Sequence, residues 1–268
     1  MPNQELPPIH VDAFGEGRPA LFVHGEFSTG RLAWSRQRAT LPGRQQAVID
    51  RRGYGRSPVA DSYTIAQDVA DLFAVADALG WQTFDLVGHS FGGVVSLVAA
   101  SRCPERLTSL LVIEPPCLGL LPEDPEVERL RTATNAVREA GRSLPNEEIA
   151  AGFFTAISGA DSLDALRASR GWQVLVEGAQ RFPLTESPAS ITTATLREIP
   201  ESLPVTVMMG TESHLGLQRT AEYIAEVIPQ ATLIVVPEAG HAVQFNGAAF
   251  RAALDVLAPI PSPGSRDM

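Results

Sequence analysis

Short apolar runs alternate with longer amphipathic ones along most of this chain. Runs at residues 9–14, 19–23 and 46–50, a run starting at Phe84, and runs at 107–113, 205–209 and 232–236 have the length of strands. The run at 107–113 is close to continuously apolar, as expected of a strand covered on both faces of a parallel sheet. Helical patterns lie between them. Over 64–79, Ile65, Val69, Leu72, Phe73, Ala76 and Leu79 fall on one face, Thr64 and Gln67 have capping-box spacing, and Gly80 supplies the stop. Helices are also predicted over 91–103, 217–227 and 248–257. Strands alternating with helices predict an α/β fold with a mostly parallel sheet flanked by helices.

The rhythm breaks over residues 115–203. That stretch has helical patterns at 127–140, 147–157 and 172–181, no convincing strand, and prolines at 115, 116, 122, 125, 145, 183, 188 and 200. It reads as a helical insert between two strands of the sheet. The expected organisation is a core of residues 1–114 and 204–268 with the insert at 115–203.

Composition narrows the function classes. The chain has 268 residues, 44% hydrophobic and 19% charged, with a net charge of −10, values that suit a soluble globular protein. The acidic balance argues against nucleic acid or an anionic membrane as partner, since both require basic patches. Cys103 and Cys117 are too few for a disulfide framework or a four-ligand zinc site, and both are expected to be buried and inert. Residues 1–5 lack the layout of a secretory signal, and no apolar run approaches the ~18 residues of a membrane span. The expectation is a cytoplasmic protein, monomer or homodimer, acting on a small molecule. No G-x-G-x-x-G follows the first strand and the His and Cys positions show no metal-ligand spacing, so neither a cofactor nor a metal is expected.

The candidate chemistry centres on Gly88-His89-Ser90-Phe91-Gly92, a G-x-S-x-G pattern between an apolar strand and a helix. That context makes it a nucleophile elbow, with the Ser90 hydroxyl at the apex of a sharp turn. A serine is a weak nucleophile without a base. Of the five histidines, His241 is the candidate, because Glu238-Ala239-Gly240-His241 follows the last strand directly. Residues just past the carboxyl ends of parallel strands converge on one crevice. His89, beside the serine, is expected to point away and pack the elbow. A carboxylate must orient the histidine, and Glu114, ending the run at 107–113, and Glu212, in the loop 210–214, both have the order Ser…acid…His. The Phe91 amide at the start of its helix and the Glu26 amide after His24-Gly25 are candidate donors to an oxyanion. A Glu26 carboxylate near that charge would be repulsive unless it turns away, is protonated, or binds a substrate amine or hydroxyl. Phe153, Phe154 and Trp172 of the insert, joined by Trp34, are candidate substrate-binding residues and imply an apolar ligand.

With these residues assembled, the chain resembles the α/β-hydrolase fold superfamily along nearly its whole length. The resemblance rests on Val23-His24-Gly25, on Asp50-Arg51-Arg52-Gly53-Tyr54-Gly55-Arg56-Ser57, on the elbow and on Gly240-His241, in that order. It implies a mostly parallel eight-stranded sheet with a helical cap after the sixth strand, Ser90 as nucleophile, His241 as base, and the amides of Glu26 and Phe91 as oxyanion hole. Many relatives carry the acid as Asp three residues after the glycine that ends the seventh strand. That glycine is Gly210 here, and Ser213 stands at the third position. Others place the acid at the end of the sixth strand, which is Glu114, and Glu114 is therefore chosen over Glu212. A serine at the apex disfavours the haloalkane dehalogenase and most epoxide hydrolase branches, which use Asp. The resemblance then implies hydrolysis of an ester, lactone or thioester through an acyl-enzyme. Carbon–carbon bond hydrolysis, perhydrolysis, lyase chemistry and a ligand receptor without turnover are the alternatives on the same fold.

Overall fold

A computed structural model of the chain describes residues 8–36, 41 and 43–257. Seven strands form one sheet: β1 (Val11–Phe14), β2 (Arg18–Val23), β3 (Arg44–Ile49), β4 (Phe84–His89), β5 (Leu107–Ile113), β6 (Val205–Gly210) and β7 (Ala231–Val236). Their order is β1-β3-β2-β4-β5-β6-β7, and every pairing is parallel except β1 with β3. Each apolar run predicted as a strand is used. The resemblance implied eight strands, whereas the described residues hold seven. The turn at residues 15–17 joins β1 to β2 without pairing them, because β3 lies between.

The alternation of side chains along each strand builds two cores. Leu21, Val23, Leu110, Val112, Val207 and Met209 face α2 (Ile65–Ala78), α3 (Phe91–Arg102) and α9 (Leu215–Val227). Ala20, Phe22, Leu111, Ile113 and Met208 face the other way, onto α10 (Gly247–Leu257) and the Trp34 ring that follows the short α1 (Gly30–Ala33). The predicted start of α2 is seen in detail, with Thr64 Oγ1 accepting from the Gln67 amide at 3.1 Å.

Between β5 and β6 the regular elements are helices, α4 (Pro125–Ala140), α5 (Asn146–Ser158), α6 (Ala160–Arg167), α7 (Trp172–Gly178) and α8 (Thr193–Arg197), with short 3-10 turns and one isolated β-bridge from Thr185 to Tyr63. Asp124 caps α4, accepting from the amides of Glu126 and Val127 at 2.9 and 3.1 Å, and Pro125 takes the first helical position where its missing N–H costs nothing. The predicted helix at 172–181 is shorter than expected. It gives way to a 3-10 turn at Ala179–Leu184, because Pro183 cannot donate within an α-helix and its ring would strike the carbonyl four residues back. Helices α6 and α8, only eight and five residues long, went unpredicted.

This segment has its own core. Val127, Leu130, Ile149, Phe153, Leu175 and Phe182 cluster around Phe27 and Leu217, which come from the sheet side. Phe27 meets Phe153 at 4.4 Å and Phe182 at 5.2 Å between ring centroids. Such aromatic pairs add about 0.5–1.5 kcal/mol each beyond the area they bury. Charge also ties the segment down: Asp68 on α2 accepts from Arg181 at 2.8 Å and from Arg51 at 2.7 Å, all three side chains being fully buried. Burial alone would push the Asp68 carboxyl up, but the Arg181 and Arg51 guanidiniums hold it below the usual carboxylate range.

Candidate active site

Ser90 sits between β4 and α3 with φ 53° and ψ −125°, a conformation non-glycine residues rarely adopt. The surroundings enforce it. The Ser90 amide donates to the Ile113 carbonyl at 2.8 Å, and its own carbonyl accepts from Gly93 at 2.8 Å and Val94 at 3.2 Å. Gly92 lets α3 approach β2, since a Cβ there would overlap the Val23 carbonyl. The Phe91 and Glu26 amides take part in none of the hydrogen bonds among the described residues.

His241 lies in the turn after β7. Its Nδ1 is 2.6 Å from Glu114 Oε2, so Nδ1 carries the proton and donates to the carboxylate, leaving Nε2 as an acceptor. Glu114 is fully buried, has φ 45°, and accepts at Oε1 from the Gly210 amide at 2.8 Å. Glu212, the competing acid, is exposed at the rim of the same cavity, and its amide bonds the Ala239 carbonyl at 2.9 Å. Of the two carboxylates, Glu114 is the one against His241.

His89 departs from expectation. Its ring does not turn away: it lines the same cavity as Ser90, lies 4.8 Å from the His241 ring at a tilt of 43°, and donates from Nε2 to the His241 carbonyl at 2.9 Å. Burial, with the nearby His241 ring, pushes its pKa down to about 3, so His89 is a neutral brace for the His241 turn. No sequence signal marks that role, because it depends on which way a residue beside a positive-φ turn points. His24 is equally fixed, with Nδ1 donating to the Gly25 carbonyl at 2.7 Å and Nε2 accepting from the Arg51 amide at 2.9 Å. Its pKa is held well below the usual value by burial and by Arg51.

The Glu26 carboxylate is turned from the oxyanion position toward Tyr54, whose hydroxyl donates to Oε2, while Arg51 Nη1 stands 3.6 Å from Oε1. Burial and the Glu26 charge raise the Tyr54 pKa well above its ordinary value, which keeps that proton on the phenol. Tyr54 and Arg51 were legible only as part of a glycine-bracketed loop; their meeting with Glu26 is tertiary.

A cavity of about 910 Å³ is lined by Gly25, Glu26, His89, Ser90 and His241 among these groups. Ser90 and His241 line it together with Phe153, Phe154, Ile157, Leu166 and Leu175, which make much of the lining apolar. Two predicted pocket residues are elsewhere. Trp34 is buried against Phe22 and Phe250, 5.3 and 5.9 Å between centroids, on the α10 side of the sheet. Trp172 is not among the residues lining the cavity and lies 6.3 Å from Phe154 between ring centroids. Apolar character alone does not separate a core tryptophan from a pocket one. Cys117 is buried, which pushes its thiol pKa up, whereas Cys103 is only half-buried. Among the described residues no group of three His, Cys, Asp or Glu is placed to hold a metal, and no helix is long and apolar enough to cross a membrane.

A mostly parallel sheet with an elbow serine and a histidine after the last strand defines a class, and comparison settles it: residues 20–253 match the alpha/beta hydrolase family, to which this chain belongs. The chain is 38% identical to the lipase LipV of Mycobacterium tuberculosis over 109 residues, 40% of this chain but only 41% of the lipase. It is 30% identical to RutD of Caulobacter sp. strain K31, a proposed carbamate hydrolase, over 229 residues and 78% of both chains. Among solved structures, a thermophilic esterase from Thermogutta terrifontis superposes with a TM-score of 0.66 at 25% identity, covering 92% of this chain and 91% of that one.

Proposed function

We propose that this protein hydrolyses carboxylic esters, lactones or thioesters with a predominantly apolar part, through an acyl-enzyme on Ser90. The observation that carries the reading is the Glu114–His241 hydrogen bond of 2.6 Å at the wall of the cavity that also exposes Ser90. A histidine held as the Nδ1–H tautomer by a buried carboxylate presents a basic Nε2, the arrangement a serine needs.

Ser90 Oγ attacks the substrate carbonyl carbon and passes its proton to His241 Nε2. The carbonyl oxygen becomes an oxyanion, which the Glu26 and Phe91 amides are free to bind, and Glu114 stabilises the imidazolium. The bond to the leaving oxygen or sulfur then breaks, and that atom takes the proton from His241. Water attacks the Ser90 ester, gives a proton to His241, and the acid departs as the proton returns to Ser90. Residues 115–203 act as a cap over this centre, their apolar wall receiving the substrate and excluding water.

The names of the lipase and the esterase are consistent with this choice. The test is a panel of p-nitrophenyl esters and lactones with Ser90→Ala as control, together with fluorophosphonate labelling. The reading predicts turnover that Ser90→Ala abolishes and a single adduct on Ser90. Labelling elsewhere, or none, would overturn it.

A further inference from the structure

Arg51, buried in the loop after β3, meets both residues whose amides are the candidate oxyanion donors. Its Nε and Nη2 donate to Asp68 Oδ2 at 3.2 and 2.7 Å, which fixes the guanidinium plane. That leaves Nη1 for the turn after β2, where it donates to the Gly25 carbonyl at 3.4 Å and stands 3.6 Å from Glu26 Oε1. The centre of the same guanidinium lies 4.4 Å from the centroid of the Phe91 ring, a cation–π contact. Burial opposes the Arg51 charge, but Asp68 and Glu26 outweigh it and hold the pKa above its ordinary value.

The Gly25 carbonyl and the Glu26 N–H belong to one trans peptide, so they point in opposite directions. The carbonyl accepts from Arg51 Nη1 and from His24 Nδ1 at 2.7 Å, and the Arg51 amide in turn donates to His24 Nε2 at 2.9 Å. Two donors on one edge of the peptide restrain its rotation, and with it the direction of the Glu26 N–H on the other edge. Gly25 abuts the nucleophile, since a Cβ there would stand 2.8 Å from Ser90 Cβ. A charged donor on the carbonyl also polarises the peptide and strengthens its N–H as a donor. With the Tyr54 hydroxyl, Arg51 further offsets the Glu26 carboxylate, whose charge would otherwise oppose an oxyanion nearby.

We propose that Arg51 is a positioning residue for the oxyanion hole: it holds and polarises the Gly25–Glu26 peptide from behind and braces Phe91. Lysine cannot replace it, because one ammonium on a flexible stem does not reach Asp68, the Gly25 carbonyl and the Phe91 face together. The inference rests on Ser90 and the Glu26 and Phe91 amides having the roles proposed above.

The experiment compares inhibition by 1,1,1-trifluoro-2-octanone and by 2-octanone. Ser90 Oγ adds to the carbonyl carbon of the fluorinated ketone, its proton passes to His241, and the carbonyl oxygen becomes an anion as in the transition state. The plain ketone occupies the same cavity uncharged. The ratio of the two Ki values therefore reads oxyanion stabilisation and cancels changes in the apolar lining. In the wild type the fluorinated ketone should bind about a hundredfold tighter or more. Arg51→Met and Arg51→Lys should each cut that ratio by about tenfold or more, with kcat on a p-nitrophenyl ester falling in parallel. The 2-octanone Ki should stay within about threefold of the wild type, which a general loosening of the fold would not allow. Folding is checked by circular dichroism. Arg51→Lys keeps a positive charge beside Asp68 and is the variant to read if Arg51→Met does not fold. An unchanged ratio in a folded variant overturns the proposal, and so does failure of both variants to fold, which would make Arg51 a residue of the core and not of the hole. A wild-type ratio near unity with no ester turnover would refute the serine-hydrolase reading, and this role with it. A large wild-type ratio that the variants keep would refute the role of Arg51 alone.

Discussion

The amide of Gly210, at the end of β6, donates to Glu114 Oε1 at 2.8 Å. A carboxylate at the end of β5 is thereby anchored across the neighbouring strand, with its other oxygen on His241. Both oxygens of a fully buried carboxylate thus have a donor, which offsets the cost of burying its charge.

That anchorage separates the two acids by experiment. Glu114→Gln should lower kcat by about a thousandfold to ten-thousandfold, because an amide neither fixes the histidine tautomer nor stabilises the imidazolium. Glu212→Gln, at an exposed position, should stay within about twofold. Steady-state kinetics on one activated ester decides between them; a larger effect at Glu212 would reverse the assignment.

Gly25 is a second point where space is spoken for. A Cβ there would stand 2.8 Å from Ser90 Cβ and 3.3 Å from its Oγ. Gly25→Ala should displace the nucleophile and cost about 10²-fold in kcat/KM. Fluorophosphonate labelling of Ser90 should slow in step, while the urea midpoint moves little.

Asp68 holds two buried guanidiniums, one from the loop after β3 and one from the helical segment. Asp68→Ala leaves both without their shared carboxylate, and a broken buried pair costs about 3–5 kcal/mol. Urea unfolding should report that loss. Proteolysis should cut first within 115–203, because Arg181 is one of that segment's ties to the sheet domain.

Stability should fall in mild acid through His89. Unfolded, its imidazole titrates near 6.5; folded, near 3. Between those values the unfolded state binds more protons, so stability is present above pH 6.5 and is lost as pH falls toward 3. From about pH 7 to about pH 5 the loss from this residue is roughly 2 kcal/mol. His89→Gln retains a donor for the His241 carbonyl and cannot titrate, so denaturant midpoints across that range should show a shallower pH slope than the wild type.

The sequence by itself determined the alternating strands and helices, the turn around Ser90, the placement of His241 after the last strand and the helical interruption. These depend on neighbours in the chain: apolar periodicity, capping residues, and glycines where backbone must pass close to backbone. The resemblance favoured Glu114 over Glu212, but the contact with His241 itself is tertiary, since it depends on β5 and β6 being adjacent and on a positive φ turning Glu114 inward. Tertiary structure also decided that His89 braces the His241 turn, that Glu26 turns to Tyr54, and that Trp34 lies in the core under the sheet. A side chain's direction at a strained turn, or the side of a sheet a loop falls on, is set by long-range packing, and local pattern carries no record of it.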